Sequence, residues 1–213
     1  MNDSDNYLRN LSFPRDNHQM ITEYDLPPLP PQLKHHLLEH AKRLYYNIDN
    51  AATLHQTYDL DDTEETASVS YFALNSAELM KYVAMFLNSV PALSKFRYFL
   101  LHTIHDGTQF DLHFDHCDSE IFRLHYVLDT GGDDVITHYW KVKEEYQGRY
   151  FYPVRTLPEY MFDKVQTLKL QEDHWYHLPM TKVHSVDNIE SPRIVLIVRF
   201  WKEQDFKGKP IAL

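Results

Sequence analysis

The segment Arg193-Ile-Val-Leu-Ile-Val-Arg199, running on into Phe200 and Trp201, leaves the chain few ways to fold. Five consecutive aliphatic residues between two arginines read as a buried strand. Strand side chains alternate, so Arg193, Val195, Ile197 and Arg199 share one face, and Ile194, Leu196, Val198 and Phe200 share the other. A guanidinium carried inward by such a strand needs an anionic partner, because an unpaired buried charge is costly. His184, in Val183-His-Ser-Val-Asp-Asn188, precedes Arg193 by nine residues.

The rest of the chain divides around Pro91. Residues 1–31 are polar and proline-studded, ending in Leu26-Pro-Pro-Leu-Pro-Pro31, and predict an extended N-terminal segment of polyproline II character. Leu33, Leu37, Leu38, Ala41, Leu44 and Tyr45 recur at helical spacing and predict an amphipathic helix over 32–48. The acidic stretch 53–66 reads as a solvated loop. Ser76 is placed to cap a second helix over 77–87, with Leu79, Met80, Val83 and Phe86 inward. Beyond Pro91 the pattern becomes one of strands: 96–103, 110–115, 122–128, 135–140, 168–170, 175–178 and 193–201. The tyrosine-rich region 144–170 reads as an insertion or lid. Helices first, then short strands with no helix between them, predict a mainly β sandwich or jelly roll with the helices packed outside.

Length and composition narrow the function classes. At 213 residues the chain suits one domain, with 43% hydrophobic residues for its core. A formal net charge of −10 argues against nucleic acid as the main partner, since a phosphate backbone calls for a basic face. The single cysteine, Cys117, excludes an intramolecular disulfide and fits a reducing, cytoplasmic setting. Neither a signal peptide nor a membrane span is expected.

Chemistry concentrates in two further strands. Phe110-Asp-Leu-His-Phe-Asp115 alternates apolar with polar residues, so His113 and Asp115 fall on one face, one pleat apart. Two such ligands and a distant histidine make a two-His-one-carboxylate set, which suits non-haem Fe(II) with positions open for a cosubstrate and O2. With 14 histidines present, the triplet is weak by itself, and His116-Cys-Asp118 is another. Its place on an alternating strand, ahead of a histidine that precedes an arginine-bearing strand, gives it weight. Ile121-Phe-Arg-Leu-His-Tyr-Val-Leu128 sets Arg123, His125 and Val127 on one face. Two inward arginines, Arg123 and Arg193, suit the two ends of a dicarboxylate, because guanidinium meets carboxylate bidentately.

Phe96-Arg-Tyr-Phe-Leu-Leu101, Leu112-His-Phe-Asp115, Phe122-Arg-Leu-His-Tyr-Val-Leu128, Trp175, Val183-His-Ser-Val-Asp-Asn188 and Arg193-Ile-Val-Leu-Ile-Val198 together resemble the aspartyl/asparaginyl β-hydroxylase family. That family includes the bacterial free-proline hydroxylases, and the resemblance covers about residues 96–201. It implies a double-stranded β-helix (jelly roll, cupin-like) with packed N-terminal α-helices. The implied activity is an Fe(II)/2-oxoglutarate-dependent dioxygenase that hydroxylates an amino acid, free or in a peptide. His113, Asp115 and His184 would hold iron, and Arg193 and Arg123 would hold 2-oxoglutarate. The β-hydroxylase branch uses two histidines alone, which makes His125 the alternative first ligand and otherwise a cavity residue. The chain departs from the family in its longer 142–167 loop and in the segment Leu170-Gln-Glu-Asp-His174. Arg193 and Arg199, six apart, also resemble the arginine pair of nucleic-acid demethylases in the wider superfamily, against which the negative charge speaks. Substrate or lid contacts are expected from His125, Trp140, Tyr146, Tyr152 and Arg199. The expected organisation is an extended 1–31 segment and one jelly-roll oxygenase domain over 32–213, with helices at about 32–90 and the β core at about 94–202. A catalytically inactive jelly-roll binding module, or a cupin-type metalloenzyme without 2-oxoglutarate, are the alternative readings.

Overall fold

Pro31 opens the first helix, α1 (Pro31–Tyr46), of a computed structural model that describes residues 21–46, 70–72, 76–104, 110–114, 122–147, 157–179, 182–200 and 208–211. Proline suits a first helical position, where its missing N–H is a donor the helix leaves unbonded anyway. The helix was expected from Gln32, after an extended segment, and the described part of that segment includes a short strand, β1 (Thr22–Tyr24). The prolines after β1 lie against the sheet: Trp175 Nε1 donates to the Pro27 carbonyl at 3.0 Å, and Leu29 N donates to the Tyr126 hydroxyl at 3.1 Å.

Ser76 caps α2 (Ala77–Ser89), its hydroxyl accepting from Leu79 N at 3.3 Å. Val83 and Leu87 are buried and Phe86 packs against them, but Met80 is 45% exposed. The buried stripe runs through Val83, Phe86 and Leu87 and leaves Met80, in the first turn, to solvent. The expectation of an inward Met80 is corrected accordingly.

Nine more strands follow among the described residues before and after α2: β2 (Ser70–Phe72), β3 (Tyr98–Ile104), β4 (Phe110–His113), β5 (Phe122–Asp129), β6 (Ile136–Val142), β7 (Phe162–Leu168), β8 (Trp175–His177), β9 (His184–Asp187) and β10 (Arg193–Phe200); a tenth, β11 (Gly208–Pro210), ends the series. They form two antiparallel sheets, a larger one in the order β11-β1-β8-β5-β10-β3-β2 and a smaller one in the order β4-β9-β6-β7. One face of the larger sheet carries Phe122, Leu124, Tyr126, Leu128, Ile194, Leu196, Val198 and Phe200 into a single core with Leu33, Leu37 and Ala41 of α1 and Val83 and Leu87 of α2. Its other face meets the smaller sheet: Val127 and Tyr176 pack with Tyr139 and Leu168, and Ile104 packs with Val186. Two stacked antiparallel sheets with helices on the outside make a mainly β, jelly-roll, cupin-like fold. The alternation read from 122–128 and 193–200 holds residue by residue.

The region read as an insertion or lid proves to contribute β7, an edge strand paired along β6. Its sequence hides this, because only Phe162 and Leu168 are buried while Asp163, Lys164, Val165 and Thr167 face solvent. The turn from β5 to β6 contains Gly131 at φ 85°. A Cβ there would come within 2.7 Å of the Ser191 carbonyl and 3.0 Å of Arg193 Cβ, so glycine alone lets this turn press against the start of β10. The Gly131 carbonyl also accepts from Glu190 N and Ser191 N, both at 2.8 Å, which fixes where Arg193 enters the sheet.

Candidate functional site

Antiparallel register sets the site out in rows. In the smaller sheet His113 lies opposite His184, and His184 lies opposite Tyr139, so three side chains stand abreast across β4, β9 and β6. The rings of His113 and His184 are 4.3 Å apart between centroids, and Tyr139 is 6.0 Å from His184. All three are buried. His184 Nδ1 lies 2.8 Å from the Lys182 carbonyl oxygen. A carbonyl only accepts, so Nδ1 carries the proton and Nε2 keeps its lone pair. A second hydrogen bond that fixes the tautomer in this way is what a metal-binding imidazole requires. The donor chemistry of the His113–His184 pair therefore fits a metal ion. Asp115, expected as the carboxylate ligand, lies outside the described residues, as does Tyr152. Among the described residues no three His, Cys, Asp or Glu side chains form a metal-binding group.

The larger sheet supplies the facing row. Arg193 is 5% exposed, and its Nη1 donates across the sandwich to Thr137 Oγ1 of β6 at 3.2 Å. No carboxylate pairs with it among the described residues. Burial pushes its pKa down to about 10, with Tyr139 opposing the shift. One neutral hydroxyl is a poor exchange for the water a guanidinium gives up. Thr137 and Tyr139, on the strand that also borders His184, escaped the sequence reading. Their link to Arg193 runs between sheets, where no spacing rule applies.

His125 lies opposite Ile197, between the rows of the two arginines. It is 3% exposed, and neither ring nitrogen has a hydrogen-bond partner among the described residues. Burial holds its pKa well below the usual histidine range, with Arg123, His177, His102 and Arg193 adding to the effect in that order. It is therefore a neutral imidazole facing the interior from the sheet opposite His113 and His184. Arg123, also buried, lies opposite Arg199, and Arg199 lies opposite Tyr98. Arg199 donates to the Tyr98 hydroxyl and sits over its ring, 5.0 Å from the centroid.

The structure does not bring every expected substrate residue to this interior. Trp140 packs in a separate cluster with Leu112, Leu157 and Phe162, donates to Ser185 Oγ at 3.0 Å and carries Lys164 over its ring. Tyr146 sits in a short 3-10 turn with its ring edge-on to Tyr160 at 6.0 Å. Both belong to the β6–β7 flank.

Solved structures similar in fold include E. coli ycfD (14% identity, 74% of this chain and 38% of that one, TM-score 0.39). AviO1 from Streptomyces viridochromogenes is another (12% identity, 90% and 93%, TM-score 0.44). A third is a point mutant of the Bacillus subtilis oxalate decarboxylase OxdC (14% identity, 71% and 30%, TM-score 0.31). The chain spans well under half the length of ycfD and of OxdC. No family model matches the chain, and no curated protein matches it. At these scores no residue role passes from those proteins to this one. No helix among the described residues is long and apolar enough to cross a membrane.

Proposed function

We propose that the chain is an Fe(II)/2-oxoglutarate-dependent dioxygenase that hydroxylates an amino acid, free or within a peptide, and releases succinate and CO2. The observation that carries this is Arg193: a guanidinium buried at 5% exposure, directed across the sandwich, with Thr137 as its hydrogen-bonded partner. A carboxylate bound there supplies the missing negative charge, and the desolvation already suffered by Arg193 makes the gain large. His113 and His184, with Asp115, are the residues that would hold iron. Bound there, iron supplies the activation of O2 that couples decarboxylation of 2-oxoglutarate to oxygen insertion into a C–H bond.

The chain's own residues bind, orient and exclude. Arg193 and the Thr137 hydroxyl grip the far carboxylate of the cosubstrate, while Arg123 steadies the near one. Lys182, through its carbonyl, holds His184 in the ligating tautomer. Val127, Ile197 and Val195 close the interior to water. A cupin-type metalloenzyme without a cosubstrate would leave Arg193 as a buried charge met, among the described residues, by one neutral hydroxyl. With a net charge of −10, the substrate is a small molecule or a peptide and not nucleic acid.

The test is thermal unfolding with Mn(II), N-oxalylglycine (a 2-oxoglutarate mimic) and both together, followed by a succinate assay with Fe(II). Stabilisation that needs both ligands, with succinate release, supports the proposal. Stabilisation by metal with no response to N-oxalylglycine points to a metalloenzyme without cosubstrate. Binding of both without succinate points to an inactive module.

A further inference from the structure

β9 carries His184, yet it is four residues long and its hold on β4 is slight. The two strands meet where Phe110 lies opposite Val186 and His113 opposite His184, with a register shift between those pairs. Its other neighbour, β6, pairs with it residue by residue, from Ile136 opposite Asp187 to Tyr139 opposite His184. Strand side chains alternate. With His184 and Val186 turned to the larger sheet, Ser185 and Asp187 turn away from it; on β6, Thr137 and Tyr139 face in while His138 and Trp140 face out. That outer face ties the two strands a second time. Trp140 Nε1 donates to Ser185 Oγ at 3.0 Å, and His138 Nε2 lies 3.1 Å from Asp187 Oδ2. A carboxylate only accepts, so Nε2 carries the proton. Both ties are diagonal and slope the same way. Trp140 N bonds the Val183 carbonyl while its ring reaches Ser185, and His138 lies opposite Ser185 while its ring reaches Asp187. A slide of β9 along β6 therefore strains both at once. The two anchors also meet edge to face, 6.2 Å between ring centroids. Trp140 and Ser185 are buried, so removing the hydroxyl leaves the indole N–H unpaired in the interior.

What these ties hold lies on the other side of the same two strands. His184 adjoins Ser185, and Thr137, the hydrogen-bonded partner of Arg193, adjoins His138. A metal ion demands ligand distances within about 0.2 Å, so small displacements of β9 are felt at His184. We propose that Ser185 and Asp187, anchored by Trp140 and His138, are positioning residues that set His184 for metal binding from the outer face of its strand. The inference rests on the reading of His184 as a metal ligand. His138 makes one further contact, its Nδ1 lying 2.9 Å from the Thr167 hydroxyl of β7. That bond secures β7 and not β9, which makes Thr167 the natural control.

The experiment titrates Mn(II) into the full-length protein well below its melting temperature, and records that temperature separately. Ser185→Ala and Asp187→Ala should each raise the Mn(II) dissociation constant about tenfold, the low end of the loss when a group orienting a metal ligand is removed. Ser185→Ala deletes a single oxygen and guards against a folding defect in the other variant. Asp187→Asn keeps an oxygen to accept from His138 and should bind Mn(II) close to wild type. Thr167→Val should lower the melting temperature and leave the Mn(II) dissociation constant where it was. Equal weakening by Asp187→Asn and Asp187→Ala would mean that the carboxylate acts through its charge, and overturns the inference. Weakening by Thr167→Val in step with its loss of stability overturns it too, because the outer face then contributes stability alone. His184→Ala should abolish binding. If it does, while Ser185→Ala and Asp187→Ala bind as wild type does, the inference falls and the metal reading stands. If wild type binds no Mn(II), or His184→Ala binds it equally well, the metal reading falls and takes the inference with it.

Discussion

β10 shows the molecule two different faces. Ile194, Leu196, Val198 and Phe200, which point toward the helices, are completely buried. Polar groups on that side have partners: the Tyr126 hydroxyl accepts from Leu29 N and donates to Asp173 Oδ1 at 2.7 Å, and Asp173 in turn meets Lys34 Nζ at 2.9 Å. On the opposite side, among the described residues, Arg193 has a neutral hydroxyl for company, and His125 on the neighbouring strand has no hydrogen bond from either nitrogen. The helix-side face is complete in the protein alone. On the inter-sheet face the described residues leave Arg193 and His125 without such partners, and the proposed cosubstrate would meet Arg193. On the proposed reading, stability and ligand binding fall to opposite sides of the same two strands, and substitutions on the two sides should behave in opposite ways.

The largest effect belongs to the helix side. Phe200→Ala should destabilise the protein by about 3–5 kcal/mol, because it leaves a cavity beside Phe122 in the core that the larger sheet shares with the helices. Urea unfolding measures this directly. Arg193→Met, on the same strand, should leave the unfolding free energy unchanged or higher, since it removes a desolvated charge and keeps the bulk. Equal losses from the two variants would mean that Arg193 is a structural residue, and the contrast between faces would collapse.

Arg193→Lys sharpens the contrast by keeping the charge and removing the fork. A bidentate contact to a desolvated carboxylate is worth about 2–3 kcal/mol more than its replacement, so the half-saturating 2-oxoglutarate concentration should rise roughly thirty- to a hundredfold. Mn(II) affinity, measured by titration without cosubstrate, should stay close to wild type. A parallel loss of metal binding would tie Arg193 to the metal ligands and not to the cosubstrate.

Neighbouring residues on β5 allow a closer comparison. Tyr126→Phe removes a hydroxyl that bonds Leu29 N and Asp173, leaves a buried N–H unpaired, and should cost about 1–3 kcal/mol. His125→Phe removes two nitrogens that bond nothing among the described residues and should cost little or even stabilise the metal-free protein at neutral pH. Chemical unfolding of both variants in one buffer decides it. A His125→Phe loss as large as that of Tyr126→Phe would show the inter-sheet face to be as finished as the other.

The two faces were also unequally legible in the sequence. Runs such as 122–128 and 193–200 state their own alternation, because arginines and a histidine interrupt otherwise hydrophobic stretches at even spacing. Three-residue strands such as β1, β2 and β11 carry too few positions for a period of two to show, and β7 hides behind four exposed residues. The His113–His184 pairing could be suspected from residue type and order, but the register that sets the two rings abreast comes from β4 and β9 meeting in space. Thr137 and Tyr139 had no signal at all as neighbours of Arg193. Trp140 and Tyr146 stand in a tyrosine-rich stretch that suggests a ligand surface, and the structure places both on the β6–β7 flank.

The smallest expected effect is in acid, and it comes from His125. Arg123, His177, His102 and Arg193 surround it, and burial together with their charge holds its folded pKa well below 6.5, its value in an unfolded chain. As pH falls through about 6.5 the unfolded chain takes up a proton that the folded protein refuses, so stability present above that pH is lost progressively below it. One proton corresponds to at most about 1.4 kcal/mol per pH unit, continuing until the depressed folded pKa is reached. His125→Phe should flatten the decline by up to that amount between about pH 6.5 and about pH 5.5, while Tyr126→Phe, on the other face, should run parallel to wild type. Urea unfolding at successive pH values reads the slopes. If wild type and His125→Phe decline together, His125 is protonated inside the fold, an anion must lie beside it, and the inter-sheet face holds a negative charge of its own.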